Sequence, residues 1–534
     1  MRGIAAGAFA VALALLSFFQ FPGHTWLQQD SQIYTAILEH LSDPPVLAND
    51  LVARKPHVAL TLFDEAARAA RAVTGLSFRE VLAVAQIAAR ALGIWGLWQI
   101  ALALGLGGAE AWMVAGFAAL GATVAGPEVL TFEYEPTPRA LALPLVFCAI
   151  GLAAHRRWTA AGIAGAAALL LHPPSALPFW LVLLGLIAWQ RPKGGVVAPV
   201  GMLAAACVVL LVAARMQAGG AESQPLFTRL TAEQAHVEQV RTAYTWVSTW
   251  AVGLVLAWVA AFLAAVAAWW RVKEKSDAAV WLLALAALGL LSMPVSWALL
   301  ERLGWALVPQ VQPMRMLVFV ALAMQILCGA AGIAAMLRRA TIEAMGWFAL
   351  AYLLPLQPVA HGEVMWARVA LLAVLAAGTA LARDYAPVVT LAAFFLIPSV
   401  GGVVNYPHLH TPEVEQLASW ARVATPRDAV FVFPDAGHSV VPGIFRAEAL
   451  RALYVDWKGG GQVNFFPGFA SEWWRRWQQT VGRGFQAADL ERYGELGIGY
   501  AVVEQAHRPP APATPVFENA RYAVYATAGD PPAR

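Results

Sequence analysis

Apolar runs of membrane-spanning length recur along most of this chain, and they leave it few ways to fold. In hydrocarbon every backbone N–H and C=O needs a partner within the protein, so uncharged runs of roughly 18 residues or more specify spanning helices. Hydropathy and length give about thirteen spans. Their approximate cores are 3–20, 80–106, 110–126, 138–153, 159–171, 175–190, 195–215, 244–270, 277–299, 314–336, 341–356, 364–382 and 385–403. The expected fold is an α-helical polytopic membrane protein. Since 60% of the 534 residues are hydrophobic and only 13% charged, each charged position carries information.

Orientation follows from the short loops. With Arg2 in the cytoplasm, the inside loops are LGGAE, AHRRW, QRPK, RVKEK, LRRAT and ARD, and five of these six carry Lys or Arg. That excess is what cytoplasmic loops show, and it puts the C-terminal segment outside. The first run, Ile4 to Phe19, ends in FFQFPGHTW without a small-residue cleavage pattern and reads as a retained signal anchor. Cys148, Cys207 and Cys328 lie inside apolar runs, with neither a disulfide framework nor a metal-ligand spacing. The net charge of +3 is small and its positive members sit in short loops, which speaks against nucleic acid as a partner.

The outside segments hold nearly all the carboxylates, histidines and prolines. Residues 1–405 read as a multi-spanning domain with a large first periplasmic loop, 21–79, whose stretch from Val58 to Ala72 has helical periodicity and is expected to lie at the interface. Residues 406–534 read as a small soluble α/β domain. Its expected helices are Glu413–Val423 and Ser471–Thr480, and its expected strands Ala429–Phe433, Ala452–Asp456, Tyr500–Glu504 and Arg521–Ala526.

Ionisable groups at a membrane boundary are the first candidates for chemistry. Asp30, just past the first span, can serve as a base toward a hydroxyl, with burial expected to raise its pKa; the alternative is a helix N-cap. Asp50, Arg54 and Lys55 share its loop, with Asp43, His24 and His57. In FEYEPTPR, Glu133 and Glu135 on an extended segment point to opposite faces, so one of them is expected to face a site, with Arg139 opening the next helix. The alternative is that Arg139 pairs with one of them to stabilise the helix entrance. His172 ends an apolar run before Pro173 and Pro174, as either a ligand or a boundary residue. Arg315 opens a late span from outside, suited to gripping a phosphate or to snorkelling. Glu233, His236, Glu238 and Arg241, and also His361 and Glu363, are further loop candidates.

Together the retained first helix, Asp30 in a large first outside loop, the acidic second loop with Glu133 and Glu135, the HPP helix end, Arg315 and the extracytoplasmic C-terminal domain resemble the GT-C superfamily of membrane glycosyltransferases. The segments TPRDAVFVFPD and FRAEALRALYVDWKGG also resemble the tails of uncharacterised bacterial membrane proteins of this type. The resemblance implies an inverting enzyme of the bacterial inner membrane that transfers a sugar from a polyprenyl-phosphate donor to an acceptor hydroxyl on the periplasmic face. Asp30 would be the base. Arg315, with Lys55 or Arg54, would neutralise the donor phosphate, and Glu133, Glu135, Arg139, His172 and Asp50 would bind substrate. A divalent cation, Mg2+ or Mn2+, held by Asp30 and Glu133 is an option the resemblance leaves open. The family's first-loop acids are often adjacent, whereas Ser31 follows Asp30 here. A flippase of lipid-linked saccharides, or a non-catalytic assembly protein, would carry many of the same features.

Overall fold

The structure is a computed structural model that describes residues 2–19, 23–55, 60–190, 195–216, 226–272, 276–353, 377, 381, 409–483, 485–486, 488–509 and 513–527. Its helices in chain order are α1 (Arg2–Phe19), α2 (Ser31–Ser42), α3 (Phe63–Thr74), α4 (Phe78–Ala103), α5 (Gly108–Ala119), α6 (Pro138–Ala154), α7 (Trp158–Leu171), α8 (Pro173–Gln190), α9 (Val197–Met216) and α10 (Ala232–Arg241). They continue with α11 (Val252–Arg271), α12 (Asp277–Ser296), α13 (Val308–Val311), α14 (Val318–Leu337) and α15 (Thr341–Leu353). Eleven of the thirteen expected spans coincide with helices; the last two, 364–382 and 385–403, lie outside the described residues but for two positions. Among the described residues five helices are long and apolar enough to cross a membrane, and α1, α6, α7 and α8 are shorter apolar helices. The chain is a mostly helical membrane protein.

Two spans are shorter than expected. Helix α5 stops at Ala119, and the chain then forms a hairpin of β1 (Thr123–Val124) and β2 (Val129–Leu130). Its turn needs Gly126, which sits at φ +96° with Trp250 about where a Cβ would go. Helix α11 begins at Val252 because residues 243–249 form 3-10 turns. Within the bundle α4 crosses α6 at glycines: a Cβ on Gly96 would lie 2.5 Å from the Cys148 backbone, and one on Gly151 2.5 Å from the Gly96 carbonyl. Close approach through small residues is how helices pack where lipid and core are equally apolar.

The C-terminal segment forms a five-stranded sheet of β3 (Val430–Val432), β4 (Ala452–Leu453), β5 (Tyr500–Glu504), β6 (Phe517–Glu518) and β7 (Tyr522–Ala526), in the order β4-β3-β5-β7-β6. Strands β4, β3 and β5 are parallel, while β7 and β6 add antiparallel. Helices α16 (Pro412–Ala424), α17 (Val441–Ala449), α18 (Pro467–Gln479) and α19 (Asp489–Glu495) complete it. Helices α17 and α19 and strand β6 are too short or too irregular to have stood out by periodicity.

This domain and the first loop share a core. Trp26, Tyr34, Leu38 and Phe63 pack in one buried cluster with Val414, Leu417, Phe431, Phe445 and Tyr500, and Ile33 and Ile37 in another with Tyr454, Phe469 and Trp473. Polar ties reinforce it: His410 Nε2 lies 2.8 Å from the Trp26 carbonyl, and Asn49 donates to the Asp428 carbonyl at 2.8 Å. Helix α2, which belongs to the loop by sequence, is thus the floor on which the C-terminal domain sits. Helix α3 is half-sunk, with Phe63, Asp64 and Ala67 buried, and Leu62 donates to the Leu170 carbonyl at 2.8 Å.

Candidate active site

A cavity of about 620 Å3 opens where α2, the β2–α6 loop, the α7–α8 corner, α10, α13 and the C-terminal segment meet. Its lining combines apolar side chains, among them Leu169, Leu171, Leu177, Leu307 and Val311, with the charged Asp30, Glu133, Glu135, Arg139, Arg241, Arg315 and Lys458.

Asp30 precedes α2 in helical backbone geometry, and its side chain caps nothing. The carboxylate instead turns into the cavity, with Oδ1 2.6 Å from Lys458 Nζ and Oδ2 4.0 Å from an Arg139 guanidinium nitrogen. Burial by itself would raise its pKa, as the sequence led one to expect. The Lys458 ammonium and the Arg139 guanidinium outweigh burial and hold the carboxyl well below the usual carboxylate range.

Glu135 explains Ser31. Its Oε1 accepts from the Gln29 N–H at 2.6 Å and from the Ser31 hydroxyl at 2.7 Å, and Oε2 accepts from the Ser31 N–H at 3.3 Å. The Ser31 hydroxyl also accepts from the Leu27 N–H at 2.8 Å. Leu27 has φ +57°, so this clamp fixes a turn that a leucine rarely adopts. Burial, then the Asp30 charge, push the Glu135 carboxyl up, opposed by these hydrogen bonds. An acid at position 31 would set a second carboxylate against a buried one. Ser31→Asp is therefore expected to lower the melting temperature of the purified protein, while Ser31→Thr keeps the hydroxyl and most of the stability; an unchanged melting temperature in Ser31→Asp would refute the clamp.

Glu133 and Glu135 both line the cavity, but their carboxylates serve different partners. Glu133 Oε1 lies 2.7 Å from Arg139 Nε and accepts from the Leu130 N–H at 3.1 Å. Arg139 reaches both Glu133 and Asp30 because Thr137 caps α6, accepting from the Ala140 N–H, and Pro138 opens it, so residue 139 falls in the first turn. Behind them the buried Arg90 donates to the Gly23 and Glu133 carbonyls, each at 2.9 Å, joining the two loops at their roots.

Arg315 also lines the cavity, its guanidinium 5.7 Å from the centre of the Tyr244 ring, and its Nε is buried with no hydrogen-bond partner among the described residues. Gln312, one turn earlier, holds φ +49°, a conformation a glutamine adopts only when its surroundings force it. Arg241 also faces the cavity; its Nε donates to the Trp457 carbonyl at 2.8 Å. His172 lines the wall, with Nδ1 accepting from the Ser175 N–H at 3.3 Å at the start of α8.

Two expected binding residues lie elsewhere. Asp50 is fully buried, and its oxygens accept from the N–H groups of Val52, Ala53 and Leu453, each at 2.9 Å, so it ties the first loop to β4 and does not meet the cavity. Lys55 and Arg54 follow it outside the cavity lining. Glu233, His236 and Glu238 also stay off the lining, and His57, His361 and Glu363 lie outside the described residues. The sequence reading missed Lys458, Trp457 and His438. The signal for Lys458 was present in DWKGGG, where glycines follow a lone lysine: Cβ atoms at Gly459 and Gly460 would lie 2.6 Å from Asp456 and 2.5 Å from Trp473.

A divalent cation fits these residues poorly. Asp30 already faces Lys458 and Arg139, Glu133 carries Arg139, and among the described residues no group of three His, Cys, Asp or Glu side chains could hold a metal. The donor set suits an anion beside a carboxylate.

A family model described as a domain of unknown function (DUF6798) matches residues 412–480. No curated protein matches the chain. Among solved structures the chain is similar to ArnT from Cupriavidus metallidurans in the apo state, at 14% identity and a TM-score of 0.45 over 99% of this chain and 100% of that one. It is similar to the same protein bound to undecaprenyl phosphate, at 14% identity and a TM-score of 0.47 over 99% of each chain. The arabinofuranosyltransferase AftD from Mycobacteria is also similar, at 15% identity and a TM-score of 0.47, with 98% of this chain spanning 40% of that one. These likenesses are of overall arrangement and assign no residue.

Proposed function

We propose that this chain is a GT-C-type membrane glycosyltransferase that moves a sugar from a polyprenyl-phosphate donor to an acceptor hydroxyl, with inversion. The observation that carries this reading is the convergence of Asp30, Arg241 and Arg315 on one cavity whose lining is also rich in apolar side chains. A lipid-linked phosphate sugar has the matching halves, an isoprenoid chain and an anion. About thirteen spans, a periplasmic first loop and C-terminal domain, and a bacterial inner membrane belong to the same reading.

In the reaction the acceptor oxygen forms its bond to the anomeric carbon as the carbon–oxygen bond to phosphate breaks. Asp30 takes the acceptor proton, and the electron pair leaves on the phosphate oxygen. Negative charge grows on that oxygen, and Arg315, whose Nε lacks a partner among the described residues, is the group suited to meet it. The Tyr244 ring beside the guanidinium limits where it can swing. Chemistry of this kind derives from the chain's own side chains, and no step runs through a metal.

The test is turnover by the full-length protein in nanodiscs, supplied with a panel of undecaprenyl-phosphate pentoses and hexoses and a cell-envelope extract as acceptor. Release of undecaprenyl phosphate from one donor supports the reading. Movement of labelled lipid between leaflets with no release from any donor would favour a flippase and sink it. Arg315→Ala is expected to weaken donor binding roughly 10- to 100-fold, the worth of charge-assisted hydrogen bonds, and Arg315→Lys to restore only part because one point charge replaces a planar fork. A donor KM unchanged in both variants would remove Arg315 from the site.

A further inference from the structure

We propose that the C-terminal domain is part of the catalytic apparatus: Lys458 is shared between the Asp30 carboxylate and the donor phosphate, so that phosphate binding frees Asp30 to accept the proton. The inference rests on the glycosyltransferase reading above and goes beyond it by giving the 412–480 segment a task.

The backbone that carries Lys458 is held from several sides. Asp456 Oδ2 accepts from the Gly459 N–H at 2.9 Å, and its Oδ1 lies 2.8 Å from an Arg446 nitrogen. The Trp473 indole donates to the Asp456 carbonyl at 2.9 Å. From the membrane-side loops Arg241 donates to the carbonyls of Trp457 and Lys458, at 2.8 and 3.3 Å, and its guanidinium stacks 4.9 Å from the Trp457 ring centre. With the backbone pinned, the freedom left at this position is that of a four-carbon stem bearing a compact charge.

That charge lies between two side chains of the first loop, 3.1 Å from Gln29 Oε1 and 2.6 Å from Asp30 Oδ1. A carboxylate so paired is a weak base. Arg139 is already shared with Glu133, at 2.7 Å against 4.0 Å to Asp30. Lys458 has no second carboxylate within ion-pair distance among the described residues, and it borders the cavity that Arg241 and Arg315 face. An incoming phosphate offers Lys458 a second anion at the same place. As the ammonium turns toward it, Asp30 loses its nearest positive neighbour and becomes a stronger base at the moment the leaving group is bound. The ion pair thus holds the base quiet in the empty site and couples its activation to donor binding.

A double-mutant cycle with undecaprenyl phosphate as probe, and phosphate-free undecaprenol as comparison, tests this on the full-length protein in nanodiscs. Lys458→Met should weaken binding of the phosphate lipid roughly 10- to 100-fold, and Lys458→Arg should keep most of it. Asp30→Asn should tighten binding several-fold, because Lys458 no longer has to leave a carboxylate. In Asp30→Asn/Lys458→Met that gain should vanish, leaving the affinity of Lys458→Met alone. Undecaprenol should respond to none of the changes. Unchanged binding in Lys458→Met, or a gain from Asp30→Asn that survives without Lys458, overturns the shared-lysine inference while the donor reading stands. No binding by the wild-type protein overturns the donor reading itself and the inference with it.

Discussion

Asp30→Asn is expected to leave the protein folded and binding its lipid donor, and to slow sugar transfer by about two to four orders of magnitude, the usual worth of a positioned base. Asparagine keeps the shape and an acceptor oxygen for Lys458, so the 2.6 Å contact survives as a hydrogen bond while the proton acceptor is gone. The measurement is single-turnover release of undecaprenyl phosphate beside the melting temperature. A flippase that uses the same cavity would keep its activity in Asp30→Asn, and an assembly protein would tolerate Asp30, Glu133 and Arg315 being changed together. The pH profile adds a second readout. Because the cations lower the Asp30 pKa below that of an ordinary aspartate, the carboxylate stays charged as pH falls through about 4. The free-enzyme profile of kcat/KM should therefore show no acid limb from Asp30 between about pH 4 and 7. In Lys458→Met the limb should move upward, since the nearest cation is removed. A wild-type limb near pH 4 would mean that Lys458 does not hold Asp30 in solution.

Much of this arrangement was legible in the chain because membrane proteins write their topology in local terms. Apolar runs gave eleven helices among the described residues, and the sparse charges marked the cavity through Asp30, Glu133, Glu135, Arg139, His172 and Arg315. Where the sequence misled, the cause was long-range pairing. Asp50 looked like a second loop acid, yet its partners, Leu453 and Arg446, lie some four hundred residues along the chain. Asp30 looked like a carboxylate that burial would make basic, and the counter-charge that reverses this comes from Lys458, more than four hundred residues along the chain. Ser31 looked like a departure from an acidic pair, and its hydroxyl is held by Glu135 of the next loop, a partner about a hundred residues away that no local pattern announces. The seam between the first loop and the C-terminal domain left no trace of its own, because each side reads locally as an ordinary amphipathic element.

Arg446→Met is expected to be the most destabilising single change in the C-terminal domain. The guanidinium is fully buried between two buried carboxylates, 2.8 Å from Asp456 Oδ1 and 3.7 Å from Asp50 Oδ2. Methionine fills much of the volume but leaves both acids without their counter-charge, which costs about 3 to 5 kcal/mol when a buried pair loses one partner. The effect should show as a lower melting temperature and as protease cleavage within residues 409–527 while the helical bundle stays intact. Because Asp50 belongs to the first loop and Asp456 precedes Lys458, the same change should loosen Lys458 from Asp30 and reduce transfer without touching the cavity directly. Adding Asp50→Asn and Asp456→Asn to Arg446→Met removes the stranded charges and should recover part of the stability. If Arg446→Met alone melts like the wild type, the buried triad does not hold the two segments together, and the C-terminal domain must be kept over the cavity by its apolar core.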